Sequence, residues 1–237
     1  MGGGSMTWTE MFFSNYADHT ALASFTADAS LLAGTNRQPP IRRGFFDKQG
    51  KALLLEAEGV VGSSGTPTYT FTWRLGETVG STFLSGTAVG VSAAITMQSG
   101  VSNQYWYARL LLTCVTPGQG STNTTLNCCG AISSGGGFAA PYEYALLPTT
   151  PPTATWTATI NNEVEQFPNL SVACSASHAS NPIRCKRLKA WALNCGRYGQ
   201  AVREVWRREA VTNAVHLLRR DPNDCQGRKP WQNLRHP

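Results

Sequence analysis

The chain has 237 residues, 41% hydrophobic and 14% charged, with 23 Gly and 13 Pro; this globular composition excludes disordered, collagenous and coiled-coil classes. Its 25 Thr and 18 Ser far outnumber the 14 acidic residues, the balance of an extracellular or virion β-protein rather than of a metabolic enzyme. The net charge of +6 is uneven: residues 182–237 hold 13 of the 20 basic and 4 of the 14 acidic residues, net +9, which leaves residues 1–181 at −3, so basicity argues for an acidic partner only in the C-terminal part.

Gly2 to Ser5 reads as a flexible leader, and residues 7–35 alternate poorly apart from one apolar cluster, Asp28 to Leu32. Pro39 and Pro40 keep the stretch Asn36 to Arg43 extended, because a proline has no amide hydrogen and restricts its predecessor. From Lys51 the pattern becomes strand after strand. Lys51 to Val61 is closed by the turn signal Gly62, Ser63, Ser64, Gly65. Thr68 to Leu75 alternates with period two, placing Tyr69, Phe71, Trp73 and Leu75 opposite Thr68, Thr70, Thr72 and Arg74. Ala88 to Met97 is small and β-branched. Gln104 to Val115 sets Trp106, Ala108, Leu110, Leu112 and Cys114 on one face and Tyr105, Tyr107 and Arg109 on the other.

Further strands are expected at Thr122 to Ile132 and Tyr142 to Leu147. Thr153 to Ile160 is expected to bury Ala154, Trp156, Ala158 and Ile160 opposite four threonines. Leu170 to Ser177 sets Leu170, Val172, Cys174 and Ala176 on its apolar face, and Ile183 to Asn194 completes about nine short strands. Strands this short, separated by Gly, Ser, Asn and Pro, favour an all-β antiparallel sandwich or barrel. No βαβ unit can be drawn. The threonine-lined faces suit either solvent or packing against an identical copy.

Residues 200–220 (QAVREVWRREAVTNAVHLLRR) are the one convincing helix. Val202, Val205, Trp206, Val211, Val215 and Leu218 form an imperfect apolar stripe, with Arg203, Arg207 and Arg208 outward; Asp221 and Pro222 stop it. Arg203, Trp206, Arg207 and Arg208 are the residues with which this extension would hold a partner. Nucleic acid is disfavoured as that partner, since basicity without base-reading or stacking elements supports only salt-sensitive contacts. No apolar run approaches the ~18 residues of a membrane span.

The seven cysteines, Cys114, Cys128, Cys129, Cys174, Cys185, Cys195 and Cys225, show no C-x-x-C spacing, and His19, His178, His216 and His236 stand at no ligand spacing; neither metal nor cofactor is expected. Catalytic patterns also fail. Gly62 to Gly65 lacks the G-x-S-x-G spacing. Gly50 and Lys51 lack the remainder of a phosphate loop. Glu163 and Glu165 sit among Asn161, Asn162 and Pro168, where a solvated loop outweighs a glycosidase pair.

TYTFTWRLG (residues 68–76), YWYARLLLTCV (residues 105–115), TTPPTATWTAT (residues 149–159) and the later LSVACSAS followed by NPIRC together resemble a family of small structural proteins encoded among the virion genes of tailed bacteriophages. The similarity covers roughly residues 25–194, including ADASLLAG and KALLLEAEGVV, and departs from the family at the cysteine-rich insertions and after Asn194. It implies an antiparallel jelly-roll-like β-sandwich with a non-enzymatic, self-assembling role in the virion, as a capsid decoration or tail-associated trimer contacting other virion proteins after assembly in the host cytoplasm. The expected organisation is an N-terminal arm over residues 1–24, the sandwich over 25–194, and a basic extension with one short α-helix over 195–237. A carbohydrate-binding adhesin that attaches to a host surface glycan is the competing reading. Tyr105, Tyr107 and Arg109 are the candidate residues for either a subunit contact or a ligand.

Overall fold

The computed structural model describes residues 9–15, 19–32, 40–76, 84, 86–118, 123–140, 142–148 and 156–193. All of them belong to the compact unit Met1–Gly196. The expected helix over 200–220, with Arg203, Trp206, Arg207 and Arg208, lies outside the described residues.

Twelve strands form among the described residues: β1 (Thr9–Asn15), β2 (Ala29–Ser30), β3 (Ala52–Ser63), β4 (Thr68–Gly76), β5 (Thr87–Ser92), β6 (Ile95–Thr96), β7 (Val101–Thr116), β8 (Thr124–Ser133), β9 (Glu143–Leu147), β10 (Thr157–Ile160), β11 (Phe167–Cys174) and β12 (Ile183–Leu193). No α-helix occurs among these residues. The strands follow one hydrogen-bonded path, β1-β12-β3-β7-β8-β9-β5-β4-β11-β2, with β10 added beside β8 and β6 beside β4. Every pairing is antiparallel.

The path folds over at β9, so that β12, β3, β7 and β8 form one wall and β5, β4 and β11 the other. Side chains meet across the interior. Phe71 of β4 lies 5.7 Å, centroid to centroid, from Trp106 of β7 and 6.3 Å from Phe138. Gly90 of β5 faces Leu110 of β7, whose Cδ1 would lie 3.0 Å from a Cβ at that position, so the glycine lets the two walls pack closely against the Leu110 side chain. The apolar sets of the alternating strands are all buried: Tyr69, Phe71, Trp73 and Leu75 from β4, and Trp106, Ala108, Leu110, Leu112 and Cys114 from β7. They join Leu53, Leu55, Ala57, Leu170, Val172 and Ile183 in one core. The architecture is therefore an all-β antiparallel sandwich.

A corner ties the walls at one end. β3 and β4 run in opposite walls yet pair with β12 and β11, which are also consecutive in the chain. The turns joining each couple interlock: the Ser64 amide donates to Asn181 Oδ1 at 3.0 Å, Tyr69 Oη donates to the Asn181 carbonyl at 3.0 Å, and the Gly62 amide donates to the Pro182 carbonyl.

Three expectations change. Trp156 is half exposed, at 49%, because β10 begins only at Thr157 and pleat alternation does not extend to the residue before a strand; Ala158 and Ile160 are buried as expected. β11 buries both faces, Asn169 and Ser171 included, and Ala176 lies beyond its end, exposed. β2 pairs with it, and Ser30 Oγ donates to Asn169 Oδ1 at 2.7 Å. Within the segment read as an N-terminal arm, residues 9–15 form β1 against β12, and Leu22 bridges to Ile183.

Candidate functional site

On the outer face of the β12–β3–β7 wall, strand register sets charged and aromatic side chains into rows. Glu58 of β3 stands between Arg187 of β12 and Tyr107 of β7; one step along, Glu56 stands between Lys189 and Arg109; the next row places Leu54 between Trp191 and Leu111. These are the strand positions left over when Leu53, Leu55, Ala57 and their counterparts turn inward.

The two carboxylates bind this face together. Tyr105 Oη donates to Glu58 Oε2 at 2.7 Å, and the Arg187 guanidinium pairs with the other oxygen of the same carboxylate. Tyr107 Oη donates to Glu56 Oε1, while the indole of Trp191 donates from Nε1 to Glu56 Oε2 at 2.7 Å. Each glutamate thus bridges β7 and β12 across β3. Lys189 Nζ lies 6.0 Å from the Trp191 ring centroid, within cation–π range.

Both tyrosines reach one register step past their direct cross-strand neighbours. Tyr105 is opposite Val60 but bonds Glu58, and Tyr107 is opposite Glu58 but bonds Glu56. They therefore lean the same way, with phenol oxygens engaged. Tyr105 is 53% exposed; Tyr107 is half-buried. Partial burial, and then the hydrogen bond to Glu58, push the Tyr105 hydroxyl up to about 12. Burial followed by the bond to Glu56 likewise raises Tyr107. In each case a phenolate beside a carboxylate is the disfavoured form.

The three residues singled out from the sequence, Tyr105, Tyr107 and Arg109, do share this face, as alternation along β7 requires. Sequence reasoning missed Glu56, Glu58, Arg187, Lys189 and Trp191. The signal was present: KALLLEAEGVV sets Leu54, Glu56, Glu58 and Val60 on one side by period two, and RLKAWAL does the same for Arg187, Lys189 and Trp191.

Ser64 lies with its Oγ 3.1 Å from His178 Nδ1, a contact reminiscent of a nucleophile and its base. That nitrogen also accepts the Ser180 amide at 3.1 Å. A neutral imidazole nitrogen has one lone pair to offer, and here the backbone claims it. The Ser64 hydroxyl also lies 3.3 Å from Asn181 Oδ1 as a donor, so this cluster closes the corner between the walls. Glu163 and Glu165 are both exposed in the turn before β11. Among the described residues, no group of three or more His, Cys, Asp or Glu is placed to hold a metal ion. Cys114, Cys128, Cys174 and Cys185 are buried and Cys129 is half-buried; burial pushes Cys128 up to about 12.

No family model matches the chain, and no curated protein matches it. Among solved structures it is similar to the CBM2 module of the evolved Dit of Lactobacillus casei BL23 phage J-1, at 10% sequence identity, over 67% of this chain and 69% of that one, with a TM-score of 0.28. A superposition at that level assigns neither fold nor ligand.

Proposed function

We propose that this chain is a non-enzymatic structural protein of a bacteriophage virion, decorating the capsid or associated with the tail, and that it self-assembles as a homotrimer alongside other virion proteins. The observation that carries the reading is the spending of charge on the broad wall. Glu56 and Glu58 have their oxygens engaged by tyrosine, tryptophan and arginine groups of the flanking strands, so they brace a sheet instead of converging on a cleft. Carboxylates held this way are poor candidates for proton transfer to a substrate, which requires an oxygen within reach of the reacting atom.

The sequence resemblance supplies the virion context, and the interlocked ribbon supports the jelly-roll type within the sandwich class. Consecutive strands β3 and β4 pair with consecutive strands β12 and β11, so one antiparallel ribbon passes from wall to wall. Exposed Thr157 and Thr159 on β10 add sparsely charged surface that suits contact between identical copies.

Mass spectrometry of purified particles of a phage carrying this gene tests the assignment: the chain is expected as a structural component in many copies. Native mass measurement of the purified chain is expected to give three copies. Absence from particles overturns the virion reading, and a monomer at micromolar concentration overturns the trimer.

A further inference from the structure

The outer face of the β12–β3–β7 wall has a second use, independent of the virion reading because it rests on the geometry of the face alone. We propose that this face binds an anionic polysaccharide chain lying along β7, with sugar rings against Tyr105 and Tyr107 and acidic groups drawn by Arg109, Arg187 and Lys189.

The tyrosines provide the first half of the fit. Their hydroxyls are tethered to Glu58 and Glu56, which fixes the direction in which both rings lean and leaves π surface, not hydroxyl, as what they present. Two rings on alternate residues of a strand recur about every 7 Å, a spacing that a chain of linked sugar rings can follow. The C–H groups of a pyranose face are weakly positive and match the negative face of an aromatic ring. Because the rings are already held, little conformational entropy is lost on binding.

Charge provides the second half. Arg109, Arg187 and Lys189 outnumber Glu56 and Glu58 on these three strands, and β12 adds Arg184 and Lys186 with no acidic residue of its own. Residues 1–181 carry a net −3, so the basic strand stands out on a mildly acidic body and attracts an acidic polymer. The same charges disfavour a dry protein contact. Lys and Glu are depleted from the cores of protein interfaces, and a protein partner seated here would have to exclude water from five charged side chains. A glycan leaves such a face wet.

Calorimetric titration of the full-length chain tests the proposal with oligogalacturonate, oligoalginate and hyaluronan fragments as anionic sugars. Maltoheptaose supplies rings without charge, and polyphosphate supplies charge without rings. At least one anionic sugar is expected to bind, with maltoheptaose about tenfold weaker or more. Tyr105→Ala should weaken binding by about tenfold, the loss of roughly one stacking contact. Lys189→Ala should weaken it and flatten its salt dependence, whereas Trp156→Ala, which removes an exposed aromatic outside this face, should leave it unchanged. Circular dichroism of each variant separates lost binding from lost fold.

Failure of all three anionic sugars to bind overturns the proposal. Binding of polyphosphate as tight as that of the sugars, unaffected by Tyr105→Ala, reduces the face to a general anion attractor and also overturns it. A Tyr105→Ala chain that binds sugar normally but changes its native mass would make the face a subunit contact instead.

Discussion

Glu56 shows how one residue can organise a surface. Its two oxygens accept from groups on opposite neighbours, Tyr107 and Trp191, so a single carboxylate links three strands on a face that hydrophobic packing does not hold. Glu58 repeats the device with Tyr105 and Arg187. The tyrosines answer to pH in consequence. Tyr105 is raised to about 12 from an ordinary value of about 10, and Tyr107 shifts the same way. A group whose folded value is raised binds its proton more tightly in the folded state. Its stabilisation is therefore fully present below about pH 10 and drains away as pH climbs through about 12. Denaturation followed at increasing alkalinity should show this loss, and Tyr105→Phe should flatten it. In the near-ultraviolet titration of tyrosinate, the same substitution should remove one late-ionising group. If Tyr105 instead ionises near the ordinary value of about 10, its bond to Glu58 does not persist in solution.

At the scale of the strand, glycine marks where neighbours approach too closely for a side chain. A Cβ on Gly59 of β3 would lie 1.9 Å from the Arg184 carbonyl oxygen and 2.8 Å from the Trp106 ring, beside the register shift between Cys185 and Arg187. Gly59→Ala should therefore cost about 3 kcal/mol in urea denaturation, since a packed neighbour must move; a loss below about 0.5 kcal/mol, typical of exposed sites, would contradict the close approach. β4 and β7 were legible from their letters because one face of each is apolar and the other is not. β11 was only half legible: its Ser and Asn positions looked solvent-facing, yet Ser171 Oγ donates to the Thr72 carbonyl at 3.3 Å and Asn169 receives Ser30. β1 and β2 were missed because short strands take their structure from a partner distant in sequence, which local periodicity does not encode; the expected strand Ala88 to Met97 divides into β5 and β6. The site was legible on the same terms. Alternation placed Tyr105, Tyr107 and Arg109 together, but nothing local reveals that β3 lies between β7 and β12.

For the molecule as a whole, stability rests on the two walls meeting along Trp73, Trp106, Phe71 and Leu110, all fully buried. Leu110→Ala should cost about 3 kcal/mol, because Gly90 opposite it has no side chain to fill the space. Trp156→Ala should change stability little despite the size of the residue, since the indole is half in water. Equal losses for the two would contradict the placement of the core.

The sheet path also sets a timetable for biosynthesis. One neighbour of β3, β7, is complete by Thr116, but the other, β12, ends only at Leu193, and β1 has waited since Thr9 for that same strand. Until the ribosome has delivered it, a nascent chain carries the twelve-residue β3 with one ladder edge open, and such edges recruit strands from other chains. Truncated translation products of this gene would then be insoluble fragments rather than smaller working versions of the sandwich.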